Sequence, residues 1–180
     1  MPPENRTLTA DARYHLTQVN LGRIAAPLDN PQMAGFMGQL DTLNALADAS
    51  PGFVWRFMDE LGNATSARPY PEDDRILFNM SVWESVEALT AYVYRSDHAG
   101  AMRRRREWFE PFSGPFLALW WVPAGTLPTV ADARDRIAHL RAHGPSVQAF
   151  TFRQAFTPDG QPVQSAPVPS DTLLNTPRTP

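Results

Sequence analysis

NMSVWESVEALTAYVYRSDHAGAMRRRREWFEPF, Asn79 to Phe112, is the stretch on which the fold turns. Its start completes Arg75 to Trp83, where Ile76, Phe78, Met80 and Val82 alternate with Leu77, Asn79, Ser81 and Trp83. That period of two is a strand with one apolar face and one more polar face. Ser85 can cap a helix that turns Val86, Leu89 and Val93 inward. Ser96-Asp97 can restart a helix running towards Glu110, and Pro111 to Pro115 ends it. On that second helix, at about 100° per residue, His98, Ala101, Met102, Arg105 and Phe109 share one face, with Trp108 at its edge. Arg103 and Arg104 point the other way, so the arginine run is mostly solvated surface and only Arg105 shares the side of His98.

Outward from this stretch the chain alternates strands with helices. Tyr14 to Arg23 reads as a strand with Tyr14, Leu16, Gln18 and Asn20 on one face and Thr17, Val19 and Leu21 on the other. Asp29-Asn30-Pro31 starts a helix whose apolar stripe, Met33, Phe36, Leu40, Leu43 and Ala47, also takes in Asn44. Phe53 to Asp59 is a second strand, with Phe53, Trp55 and Phe57 on one face. A loop from Leu61 to Asp74 follows, long enough to close over something. Phe116 to Val122 is a nearly continuous apolar run, hence a buried strand, in which Trp120 and Trp121 point to opposite faces. Thr129 can cap a helix from Val130 to about His143, stopped by Gly144-Pro145, and Ala149 to Arg153 reads as a short added strand. Residues 1–12 are expected to be a flexible N-terminus, 13–156 one domain, and 157–180 a Pro-rich tail.

The order strand, helix, strand, strand, helices, strand is that of an α+β fold, a ferredoxin-like split βαβ with an antiparallel sheet. Such a sheet is expected to carry helices on one face and leave the other bare. A bare face with this many aromatics would be buried against a second copy, which predicts a sheet-to-sheet homodimer.

Composition excludes several chemistries. The chain has 180 residues, 43% hydrophobic and 19% charged, with a net charge of -3, and gives no reason to expect nucleic acid as a partner. No run is long enough for a membrane span, and Met1-Pro2-Pro3-Glu4-Asn5 lacks the pattern of a signal peptide, so a cytoplasmic protein with no membrane partner is expected. There is no cysteine, so thiolate catalysis and zinc–thiolate sites are absent. There is no lysine either, which removes Schiff-base chemistry and a P-loop lysine. Acid–base work falls to His, Asp, Glu or Tyr.

His98, near the start of its helix, is favoured in the neutral form, which suits a general base or a ligand; it could equally be a histidine satisfied by Asp97 or Ser96. Arg105 is either paired with Glu107, Glu110 or a loop carboxylate, or a clamp on an anionic substrate. Asn20, Asn79, Ser81 and Trp83 flank one another if strands one and three pair, giving polar groups among aromatics, as in a small-molecule pocket or a wet interface. His139 and His143 have metal-ligand spacing but lie opposite the buried face of their helix, and no metal site is expected.

S-V-W-E-S-V-E-A-L at Ser81–Leu89, Y-R-S-D-H at Tyr94–His98 and R-R-R-R-E-W-F at Arg103–Phe109 resemble a bacterial family catalogued as domain of unknown function 3291. Q-V-N at Gln18–Asn20, N-A-L-A-D-A-S-P-G-F-V-W at Asn44–Trp55 and W-W-V-P-A-G at Trp120–Gly125 fit the same resemblance, which covers roughly residues 14–153. That family looks like a member of the dimeric α/β-barrel superfamily, with the antibiotic-biosynthesis monooxygenases among its relatives. The resemblance implies a homodimer of α/β-barrel type with a pocket in each subunit between sheet and helices. It also implies a site built from Asn20, Trp83 and His98, which occupy matching places. On this footing the chain is expected to be a cofactor-independent, monooxygenase-like (or isomerase- or cyclase-like) enzyme on a small aromatic or polyketide-like molecule. His98 would take a proton, Asn20, Asn79 or Ser81 would hold the oxyanion, Trp83 and Trp55 would stack the ring, and Asn44 and Arg105 would contact substrate. The alternatives are a haem protein with His98 as axial ligand, and a dimer that binds a small molecule without catalysis.

Overall fold

The computed structural model describes residues 13–95 and 104–163. Its centre is strand β1 (Tyr14–Ile24), antiparallel on one side to β3 (Ile76–Trp83). On its other side β1 pairs with β5 (Leu117–Pro123) along most of its length and with the short β4 (Phe109–Glu110) at its end. Strand β2 (Phe53–Arg56) lies outside β3. First and third strands therefore pair, as their alternation requires, with Gln18 opposite Ser81 and Asn20 opposite Asn79. The expected α+β class and antiparallel sheet are present.

Helix starts follow their caps. Asn30 accepts the Gln32 N–H at 2.9 Å before a 3-10 turn at Pro31–Met33. The single helix expected from there is broken: α1 (Ala34–Met37) ends at Gly38, and α2 (Leu40–Asp48) restarts. Ser85 accepts the Ala88 N–H ahead of α3 (Val86–Arg95). Thr129 and Asp132 form a reciprocal capping box at the start of α4 (Val130–His143), with Gly144 at φ 72° as its end. The helix expected to reach Glu110 does not: a 3-10 turn at Arg105–Glu107 gives way to β4. No strand forms over Ala149 to Arg153, where Phe150 makes only an isolated bridge to Leu119; the chain instead ends its described part in a hairpin of β6 (Ala155–Phe156) and β7 (Pro162–Val163).

The expectation of an α/β-barrel fails. The sheet is open, with β2 at one edge and β4 and β5 at the other. The physical reason is that no sheet face is bare. The face carrying Val19, Met80, Val82 and Trp120 is buried within the single chain, with Trp120 1% exposed. Helix α4 covers it through Ala133, Ile137 and Leu140, and Arg136 stacks on the Trp120 ring. The 57–74 segment covers more of it: Phe57 packs on Phe78, and Tyr70 receives Arg134 of α4. The premise of a sheet-to-sheet pairing is therefore absent. The opposite face, with Gln18, Asn20, Asn79, Ser81 and Trp83, shares a cavity with residues of α2 and α3 and stays open at Asn79, which is exposed. Among the described residues no helix is long and apolar enough to cross a membrane.

Candidate functional site

Between the sheet and helices α2 and α3 lies a cavity of about 180 Å³. Its floor is the sheet face of Gln18, Asn20, Asn79, Ser81 and Trp83. Its roof is Leu40, Leu43, Asn44 and Ala47 from α2 and Leu89 and Tyr92 from α3. One end is lined by Arg105, Trp108, Phe109 and Phe36, the other by Arg56 and the loop residues Asn63 and Thr65.

The floor holds a directional chain of hydrogen bonds. The Trp83 indole N–H donates to Ser81 Oγ at 2.9 Å, and the Ser81 hydroxyl donates to Gln18 Oε1 at 3.0 Å. An indole nitrogen can only donate, so Ser81 Oγ accepts there, and with Gln18 Oε1 placed 3.0 Å away the hydroxyl donates its proton to Gln18. The Gln18 amide nitrogen is then the half of that side chain with no protein partner among the described residues. These three side chains are 0%, 6% and 7% exposed, so the orientation is held in the core. Asn20, Asn79 and Asn44 also line the cavity, and none of their side-chain amides has a hydrogen-bond partner among the described residues. Trp83 is fixed further by an edge contact with Phe53 and a stack on Tyr92 with centroids 5.1 Å apart.

The ionisable groups of the wall are few. Arg56 is engaged: Asp48 takes its Nε at 2.8 Å and its Nη2 at 3.3 Å, and the Gly62 carbonyl takes Nη1 at 2.9 Å. Tyr92 donates to the Leu43 carbonyl at 3.3 Å. Burial, helped by the Asp48 charge, pushes its phenol pKa up, so it is no base at neutral pH. Arg105 donates through Nη2 to the Leu21 carbonyl at 3.0 Å, and its guanidinium lies 5.0 Å from the Phe109 ring centre and 4.8 Å from that of Phe116. Burial pulls its pKa down to about 10, which leaves it protonated at neutral pH. Among the described residues no group of three His, Asp or Glu is placed to hold a metal.

Of the residues picked out by sequence, the fold brings Asn20, Asn44, Asn79, Ser81, Trp83 and Arg105 to one cavity. Trp55 is not in it. A bulge between Phe53 and Trp55 shifts the register, so Trp55 stands opposite Val82 and Arg56 opposite Ser81. The extra residue turns Trp55 to the far face and brings Arg56 inward. His98 lies outside the described residues. Gln18 was not singled out by sequence, although its place on the face of Asn20 and opposite Ser81 was the available signal.

The sequence model of the family described as Domain of unknown function (DUF3291) matches residues 15–166. No curated protein matches the chain. Among solved structures it is similar to a conserved protein from Methanosarcina mazei Go1, at 15% identity over 60% of this chain and 92% of that chain, with a TM-score of 0.44. It is also similar to NE2512, a protein of unknown function from Nitrosomonas europaea, at 17% identity over 66% of this chain and 98% of that chain, TM-score 0.41. A third is a monooxygenase from the gene ActVA-Orf6 of Streptomyces coelicolor in complex with the ligand nanaomycin D, at 15% identity over 66% and 95% of the two chains, TM-score 0.37. The chain belongs to the DUF3291 family.

Proposed function

We propose that this member of the DUF3291 family holds one small, planar, oxygen-bearing molecule between its sheet and helices, and acts on it as a cofactor-independent, monooxygenase-like enzyme. The observation that carries the reading is the Gln18 carboxamide. Its N–H donors are turned to the cavity by the Ser81–Trp83 relay and sit in one wall with the unengaged amides of Asn20 and Asn79. Preorganised donors beneath aromatic rings are what a ligand oxygen gaining negative charge requires. Oxygenation, isomerisation and cyclisation all begin from such an anion, with the proton taken first by a base. None of the described lining residues is Asp, Glu or His; in this reading His98 is the base that takes the proton.

Size narrows the ligand. A cavity of about 150 Å³ takes benzene, so one of about 180 Å³ has room for a single ring. Every side chain named belongs to one chain, so the reading does not depend on a homodimer; sedimentation equilibrium reads the number of copies.

The test uses a one-ring phenol with an electron-withdrawing group, 4-hydroxyacetophenone, followed by tryptophan fluorescence for binding and mass spectrometry under air for product. Saturable binding weakened by Gln18→Leu, with product formed by the wild type and not by a folded His98→Ala variant, is expected. Binding without product in the wild type removes the enzymatic half and leaves a binding protein. If neither this phenol nor the one-ring acid tested below binds, the reading is removed.

A further inference from the structure

The cavity is neutral along most of its wall and cationic at one end. Its other arginine, Arg56, is neutralised by Asp48. Arg105 has no such partner among the described residues. The carboxylates near it in sequence are taken by other arginines: Glu107 receives Arg104 Nε at 3.0 Å and Nη2 at 2.9 Å, and Glu110 is shared by Arg23 and Arg75. Asp73 of the preceding loop is paired with Arg23. Arg104 and Arg106 are exposed to solvent, and Arg105 is folded inward between two phenylalanine rings.

The half-buried guanidinium is less well solvated than its exposed neighbours, and aromatic faces and one carbonyl compensate it only in part. The side chain has five N–H donors, and the single contact to Leu21 leaves Nε and Nη1 without a protein partner among the described residues. The backbone makes room for it: at Gly22 a Cβ would stand 2.6 Å from the Phe109 ring and 3.4 Å from Arg105 Nη2. A fixed, planar, unspent fork suits a carboxylate.

We propose that the ligand of this cavity is a one-ring organic acid whose carboxylate is held by Arg105. The inference rests on the small-molecule reading above and gives its substrate class. Same-face residues on a strand are about 6.7 Å apart, so from Arg105, beside Gly22, the amide of Asn20 lies about one ring's length away. The acid therefore carries its polar ring substituent opposite the carboxylate.

The test compares 4-hydroxybenzoate with its neutral isostere 4-hydroxybenzamide on the full chain, by calorimetry. The wild type is expected to favour the acid by roughly ten- to a hundredfold, the value of charge-assisted hydrogen bonds. Arg105→Gln is expected to bind acid and amide alike, and Arg105→Lys to keep part of the preference, having charge without the fork. If the wild type binds both equally, or Arg105→Gln keeps the preference, the acid assignment is wrong while the cavity stands as a binding site. If neither compound binds and 4-hydroxyacetophenone does not bind either, the small-molecule reading fails and the assignment with it. The wild-type comparison decides the matter alone should Arg105→Gln not fold.

Discussion

Replacing Ser81 with alanine tests the relay that orients Gln18. The hydroxyl is the acceptor for the Trp83 indole N–H at 2.9 Å, and Trp83 is fully buried. Without Ser81 Oγ that donor loses its acceptor within the protein. Orphaning a buried donor costs about 1–3 kcal/mol. The Gln18 carboxamide, freed from Ser81, can turn its oxygen to the cavity and adds little, so the total is expected near about 2 kcal/mol. Urea unfolding reads it as a lower midpoint with an unchanged slope. A double-mutant cycle with Trp83→Phe isolates the bond, because the volume lost at Trp83 cancels in the cycle. The coupling is expected at about 1–2 kcal/mol. A Ser81→Ala cost within about 0.5 kcal/mol, with no coupling to Trp83, would refute the relay and the amide orientation drawn from it.

Other consequences are equally direct. Gly22→Ala would push on the Phe109 ring from 2.6 Å, an overpacking expected to cost about 1–3 kcal/mol by thermal or urea unfolding and to loosen Arg105. Thr129→Ala removes the cap of α4 and is expected to cost about 1 kcal/mol. The Thr129 hydroxyl and N–H hold the Asp132 carboxyl below its ordinary pKa, so this contribution is full above the unfolded value and is lost as pH falls through the depressed folded value. Thr129→Ala should therefore flatten the acid limb of stability against pH. The affinity for benzoate, which has no phenol of its own to titrate, should be level from neutral pH upward and fall as pH climbs through about 10, where Arg105 loses its proton; a fall that begins near pH 7 would contradict Arg105 as the anchor.

Much of this arrangement is legible in the sequence. Alternation in Tyr14–Arg23 and Arg75–Trp83 separates the face of Asn20, Asn79 and Ser81 from the apolar one, because strand side chains repeat every two residues. The stripe that includes Asn44 survives the break at Gly38, since α2 resumes on the same side and Asn44 still meets the cavity. Arg105 reaches the cavity although its expected helix is a 3-10 turn followed by a strand. What was not legible came from tertiary contacts. Both sheet faces are apolar enough to be covered, and only packing decides that α4 and the 57–74 segment close the face expected to be bare. The placement of Trp55 failed on one inserted residue, a bulge that leaves no mark in the hydrophobic pattern.

A crystal structure grown with 4-hydroxybenzoate tests the central claim most directly. One ring is predicted between the sheet and α2–α3, with its carboxylate on the Arg105 guanidinium and its ring inside the wall of Asn20, Asn79 and the Gln18 amide nitrogen. A ligand bound elsewhere, with the cavity closed by its own side chains, would contradict it.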